Sequence, residues 1–142
     1  MNTLTAKEVI ALLGLEPHVE GGFYRQTFAD EPDATGRSVS TLIYYMLTDN
    51  QAGTWHRVDS TEVWHWYAGA PLTLRISRDG KTVSSQVLGT DLTAGQRPQG
   101  VVPAGAWQQA RVEGDWVLVG CTVAPGFLFS KFEQAEPGWE PG

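Results

Sequence analysis

Two residues able to do chemistry sit six positions apart in this chain, His56 and Glu62. A histidine and a carboxylate in one cavity can act as base and acid, because burial and proximity push their proton affinities apart. The same pair can serve structure alone, with Glu62 accepting hydrogen bonds from His56 or an arginine in a polar core. As a metal centre the pair is short of donors, since a stable site commonly takes three or four ligands. Gln108 could add only a weak oxygen donor. No Ser-His-Asp arrangement stands out, and Gly21-Gly22 precedes a strand rather than a helix, so it is no phosphate cradle. Cys121 is the one cysteine. It lies in an apolar run and reads as a buried small hydrophobe, and it leaves no disulfide framework.

The elements around these residues read as β-structure. Residues 22–28 form a first strand, 39–47 a strongly apolar one, and 62–67 a third in which Glu62, Trp64 and Trp66 share a face while Val63, His65 and Tyr67 share the other. Leu72, Leu74 and Ile76 alternate with polar residues, Arg78-Asp79-Gly80 reads as a hairpin turn, and residues 81–88 return. Residues 89–100 read as a loop. Strands are expected over 107–112 and 116–123, with Gln108, Ala110 and Val112 on one face, and a last edge segment over 127–132. Before all of these, Thr5 and Glu8 form a capping box for a short helix over residues 5–13, which Gly14 can end. Residues 133–142, with two Pro-Gly pairs, are expected to be loosely held.

The chain has 142 residues, which suits one domain over 1–142. Its short strands and frequent turn signals fit an all-β sandwich or jelly roll. A net charge of −6 argues against nucleic acid as a partner. No apolar stretch approaches the ~20 residues a membrane-spanning helix needs. No signal peptide is visible, so a soluble cytoplasmic protein is expected.

The stretch from Gly53 through His56, Glu62 and Gly69 resembles the first motif of the cupin superfamily. Pro103-Ala104-Gly105 followed by Gln108 resembles the second. Longer runs, Pro17-His-Val-Glu-Gly-Gly-Phe-Tyr-Arg25 and Val119-Gly-Cys-Thr-Val-Ala-Pro-Gly-Phe127 among them, look like the cupin-5 subgroup, formerly a domain of unknown function. The resemblance implies a double-stranded β-helix, the jelly-roll barrel that germins and dTDP-sugar epimerases share, and a homodimer. It also implies that two metal ligands are lost, because Val58 and Gln108 stand where the family usually has histidines.

By that resemblance His56 and Glu62 face the barrel interior as the catalytic pair, with no metal and no cofactor. Trp64, Gln108 and one of Tyr44 and Tyr45, taken as Tyr44, shape a small-molecule pocket. Arg25 lines the barrel mouth, where it could hold an anion, or a dimer contact, whereas Arg57 points outward into a surface ion pair. The expected activity is that of a metal-independent isomerase or epimerase acting on a sugar-like or hydroxylated anion. The alternatives are a non-catalytic binding or sensor protein and, third, a divalent-metal enzyme with a reduced ligand set.

Overall fold

The first ordered element follows from local hydrogen bonding. Thr5 Oγ1 accepts from the Glu8 amide at 3.2 Å, and Glu8 Oε1 accepts from the Thr5 amide at 3.1 Å. This satisfies two donors that a helix start leaves open. Helix α1 (Ala6–Leu13) ends at Gly14 in the left-handed region. In the computed structural model, which describes residues 3–142, α1 lies on the outside of a β-barrel. Val9 packs there with Leu15 and Met46.

Eleven strands make up the barrel among the described residues: β1 (Glu16–Pro17), β2 (Phe23–Ala29), β3 (Thr41–Thr48), β4 (His56–Arg57), β5 (Thr61–Gly69), β6 (Leu72–Ser77), β7 (Ser84–Leu88), β8 (Gln99–Val102), β9 (Trp107–Val112), β10 (Trp116–Ala124) and β11 (Glu133–Gln134). One sheet has the order β1-β2-β3-β10-β5-β8 and the other β11-β4-β9-β6-β7. All the strand pairings are antiparallel. This is the all-β jelly roll with one short N-terminal helix.

Side-chain alternation decides what fills the space between the sheets. On β10, Val117, Val119, Cys121 and Val123 point inward and are buried. Val117, Val119 and Cys121 meet Leu72, Leu74, Ala110 and Val112 from the opposite sheet in one continuous core, and Val123 lines the cavity. The register of β2 on β3 pairs Tyr24 with Tyr45 and Arg25 with Tyr44. Directly opposed residues share a face, so Tyr24 and Tyr45 go to the interior while Arg25 and Tyr44 go to the helix side.

Three regions depart from the expectations. Residues 89–100 are not a plain loop: they hold a single turn of 3-10 helix at Leu92–Ala94, and β8 begins at Gln99. The edge segment expected over 127–132 is a 3-10 turn at Phe129–Lys131, and strand pairing starts only at Glu133, which pairs with Arg57. Residues 133–142 are held against the barrel. Trp55 Nε1 donates to Glu140 Oε2 at 2.8 Å, and Trp139 packs against the rings of Trp55 and Trp107. Two Pro-Gly pairs signalled looseness, but the aromatic anchor between them outweighs that signal by burying apolar area. Among the described residues no helix is long and apolar enough to cross a membrane.

The connection from β1 to β2 passes close to β3. Gly22 has φ 78°, and a Cβ there would run into the carbonyl oxygen of Met46. Gly22→Ala should therefore cost at least about 2 kcal/mol in urea unfolding, from the left-handed backbone and the clash together.

Candidate functional site

Five polar side chains converge at one end of the barrel, and they come from three separate parts of the frame. His56 stands on β4 in the five-stranded sheet. Glu62, on β5, belongs to the six-stranded sheet, so the two face each other across the interior. Tyr45 enters from β3. His18 and Glu20 lie in the turn between β1 and β2, where the His18 amide donates to the Gly22 carbonyl at 2.9 Å. Glu20 is bound in place on both sides: its amide donates to His18 Nδ1 at 3.1 Å, and its carbonyl accepts from the Thr54 amide at 2.9 Å.

Glu20 and His56 form a buried ion pair, with Glu20 Oε2 2.9 Å from His56 Nδ1. The carbonyl oxygen of Thr54 lies 3.0 Å from the same nitrogen. Both neighbours are acceptors, so Nδ1 carries a proton in either charge state of the ring. Among the described residues the ring's polar contacts are all through Nδ1, which leaves Nε2 without a partner, and the ring stacks on Phe132 at 5.2 Å. Burial opposes a charge on His56, but the adjacent Glu20 carboxylate, its hydrogen bond and the charge of Glu62 outweigh it. The pKa rises from 6.5 to about 9. Burial likewise works against ionised Glu20, and the charge and hydrogen bond of His56 overcome it, so Glu20 sits below its ordinary value. The pair is imidazolium and carboxylate at neutral pH.

Glu62 behaves in the opposite way. Gln108 Nε2 donates to Glu62 Oε1 at 2.8 Å, and Gln108 Oε1 in turn accepts from Trp64 Nε1 at 3.0 Å. Burial dominates over these partners and over His56, and the Glu20 charge adds to it, so Glu62 holds its proton above the ordinary carboxylate range. His18 is pushed the other way from His56: burial lowers its pKa, against the charge of Glu20 and with that of His56. Cys121 lies beside Glu62, and burial keeps it a thiol.

These groups line a cavity of about 220 Å³ whose walls are otherwise aromatic and aliphatic, including Tyr24, Trp64, Phe127 and Phe129. His56, Glu62 and Trp64, all expected in the pocket, line it. Gln108 is fully buried behind Glu62 and orients it without lining the cavity. Tyr44 does not reach the cavity. It packs on the helix side near Tyr67, and Tyr45 takes the interior place, donating to the Gly21 carbonyl at 2.7 Å. Arg25 lies on that same outer face, where it donates to the Leu13 carbonyl at the end of α1 at 3.1 Å, so it is not at the barrel mouth. Arg57 pairs with Glu133 at 3.0 Å on the surface. Sequence reasoning missed Glu20, His18 and the Phe127–Phe132 aromatics. Glu20 lies in a turn, where strand alternation says nothing about direction; the Gly21-Gly22 pair after it was the one signal that the chain doubles back there.

The residues do not fit a metal of the kind the fold often holds. Val58 offers no donor, and Gln108 is engaged at both ends of its amide. His56 Nδ1 belongs to Glu20. Among the described residues no three His, Cys, Asp or Glu side chains are arranged to hold an ion.

Comparisons with known proteins agree with the fold and the motifs. The family described as Cupin superfamily (DUF985), Cupin_5, matches residues 7–135. The chain belongs to that family. It is similar to a protein of Shewanella oneidensis at 37% identity and a TM-score of 0.90, over 94% of this chain and 86% of that one. A hypothetical protein from Leishmania major is similar at 29% identity and a TM-score of 0.81, over 92% and 86%. Oxalate decarboxylase of Bacillus subtilis shares the fold at 10% identity and a TM-score of 0.64, over 83% of this chain and 29% of that one. Among curated proteins none matches.

The ion pair sets a pH dependence. A histidine pKa raised on folding stabilises fully below its unfolded value near 6.5, and that stability is lost as pH rises through about 9. Buried Cys121, whose thiol ionises only on unfolding, adds to the same alkaline loss, so the share of His56 is the difference between the protein and its Glu20→Gln variant. Urea unfolding should show a loss on the order of 2 kcal/mol between pH 6.5 and 9.5. Glu20→Gln removes the counter-charge and leaves the burial, so His56 should titrate lower by NMR than in the unsubstituted protein and the alkaline loss should shrink to the part that Cys121 contributes.

Proposed function

We propose that this protein is a metal-independent acid–base enzyme of the isomerase or epimerase kind, acting on a small hydroxylated molecule with a carbonyl group. The observation that carries the reading is the buried pair at 2.9 Å between Glu20 and His56 Nδ1, which leaves Nε2 free at a cavity that Glu62 also lines. A histidine held protonated beside a carboxylate whose proton affinity is raised toward the working pH suits an acid–base division of labour.

The roles follow from the charges. His56, held protonated by Glu20, is the acid: its Nε2–H donates to the substrate carbonyl oxygen. Glu62, raised toward neutrality, is the base: ionised, it takes the proton from the carbon next to that carbonyl. The C–H electron pair forms a C=C bond, the carbonyl π pair moves to oxygen, and oxygen takes the Nε2 proton. Neutral His56 keeps its Nδ1 proton on Glu20. Glu62 returning its proton to the former carbonyl carbon, while neutral His56 Nε2 takes the proton of the neighbouring enediol hydroxyl, gives the isomer. A proton from solvent water on the opposite face, with Glu62 giving its own to the hydroxide and the enol O–H proton going back to Nε2, gives the epimer. Gln108 holds one oxygen of Glu62 at 2.8 Å and so limits its rotation. These roles reverse the assignment of His56 as base that the epimerase resemblance suggests.

A plain binding or sensor function is the second reading. It is favoured by one observation: the Tyr45 hydroxyl is bound to the Gly21 carbonyl, so Tyr45 does not offer its proton to a ligand.

Deuterium exchange separates the two. Ketoses, aldoses and hydroxyketones incubated with the protein in D2O should gain deuterium next to the carbonyl, read by NMR and mass spectrometry. Glu62→Gln should slow the exchange by about 10²–10⁴-fold with the fold intact. Binding without exchange for every compound would leave the sensor reading in its place.

A further inference from the structure

The geometry points to an uncharged, ring-sized carbonyl compound as the substrate, one without a phosphate or nucleotide group. The inference rests on the acid–base reading above and adds the substrate class to it. Its basis is the charge carried by the cavity wall. Among the described residues, no lysine or arginine lines the cavity. The arginines nearest in the fold are bound elsewhere. Arg37 chelates Asp59 with two bonds of 2.8 and 2.9 Å, Arg57 pairs with Glu133, and Arg75 with Glu140. Lys131 lies at a separate surface cleft beside Glu133.

The one cation inside is His56, and its charge is already balanced by Glu20. Ionised Glu62 makes the wall net negative. A phosphate or carboxylate on the ligand would sit in this enclosure without a free countercharge, which is costly in a poorly solvated site. It would also raise the proton affinity of Glu62 further and hold the base in its protonated, inactive form. An uncharged ligand carries neither penalty.

Size and surface lead the same way. The cavity of about 220 Å³ is below the ~300 Å³ where common ligand sites begin. It has room for a single ring and not for a nucleoside diphosphate. Tyr24, Trp64, Phe127 and Phe132 present ring faces and edges, which pack on the apolar face of a sugar ring, lactone or cyclic ketone. His56 and Glu62 line the same cavity from the two opposite sheets, so a single ring between them can meet both.

Matched pairs test this. Free sugars, lactones and hydroxylated cyclic ketones are titrated by calorimetry against the intact protein, each beside its phosphorylated or carboxylated counterpart. Uncharged members should bind, and their charged counterparts should bind at least about 10-fold more weakly. A charged member that binds as well as its uncharged partner overturns the inference, and so does the failure of every uncharged member to bind at about 10 mM. The same samples in D2O keep the two proposals apart. Uncharged compounds that bind without exchange leave the substrate class standing and remove the acid–base chemistry. Exchange of a phosphorylated compound does the reverse.

Discussion

A charge taken out of water must find a partner, and at this barrel end it does so between Glu20 and His56. Both side chains are almost wholly buried, His56 at 5% and Glu20 at 7% exposure. Neither could be ionised there alone, because an unpaired buried charge costs several kcal/mol. The pairing therefore dictates the path of the chain around it. The turn carrying His18 and Glu20 must dock on the segment before β4, and the amide of Thr54 fixes it by donating to the Glu20 carbonyl. The glycines at 21 and 22 let the chain reverse quickly enough to enter β2 beside β3. Removing the pair would loosen this turn as well as the site.

The same interaction organises the chemistry. Glu20 fixes the tautomer and orientation of His56 through Nδ1, so that Nε2 alone is left for a ligand. Across the barrel, Trp64, Gln108 and Glu62 form a chain of hydrogen bonds with a defined direction: indole to amide oxygen, amide nitrogen to carboxylate. Gln108 stands opposite His56 on the neighbouring strand and yet serves Glu62. An amide can donate and accept at once, which a metal-ligating histidine at that position could do only by giving up its metal-binding nitrogen. With Val58 and Gln108 at these positions, the hydrogen bonds at this end of the barrel run between protein side chains, Trp64 to Gln108 to Glu62.

Much of the frame was legible in the chain. The helix announced itself through Thr5, Glu8 and Gly14, because a capping box and a left-handed end are local chemistry. Strand β9 was read to the residue, since buried Gln108, Ala110 and Val112 alternate with less buried positions. The outward turn of His65 was legible too; its Nε2 lies 3.0 Å from Thr122 Oγ1 on the neighbouring strand. Residues 133–142 were misjudged because Pro and Gly speak of local freedom, whereas their order comes from Trp139 and Glu140 meeting Trp55, more than 80 positions away in the chain.

His56, Glu62 and the loss of donors at Val58 and Gln108 were determined by the sequence itself, through motif spacing that any reader of the barrel pattern can follow. The choice of Tyr45 over Tyr44 was not, because adjacent residues on a strand face opposite ways and only the register against β2 and β10 says which way is in. Nor was the partnership of Glu20 with His56, nor the proton affinities that follow from it. Proton affinity depends on burial and on charges within a few ångströms. Those neighbours come from a turn 36 positions back along the chain, and only the closed barrel brings them together.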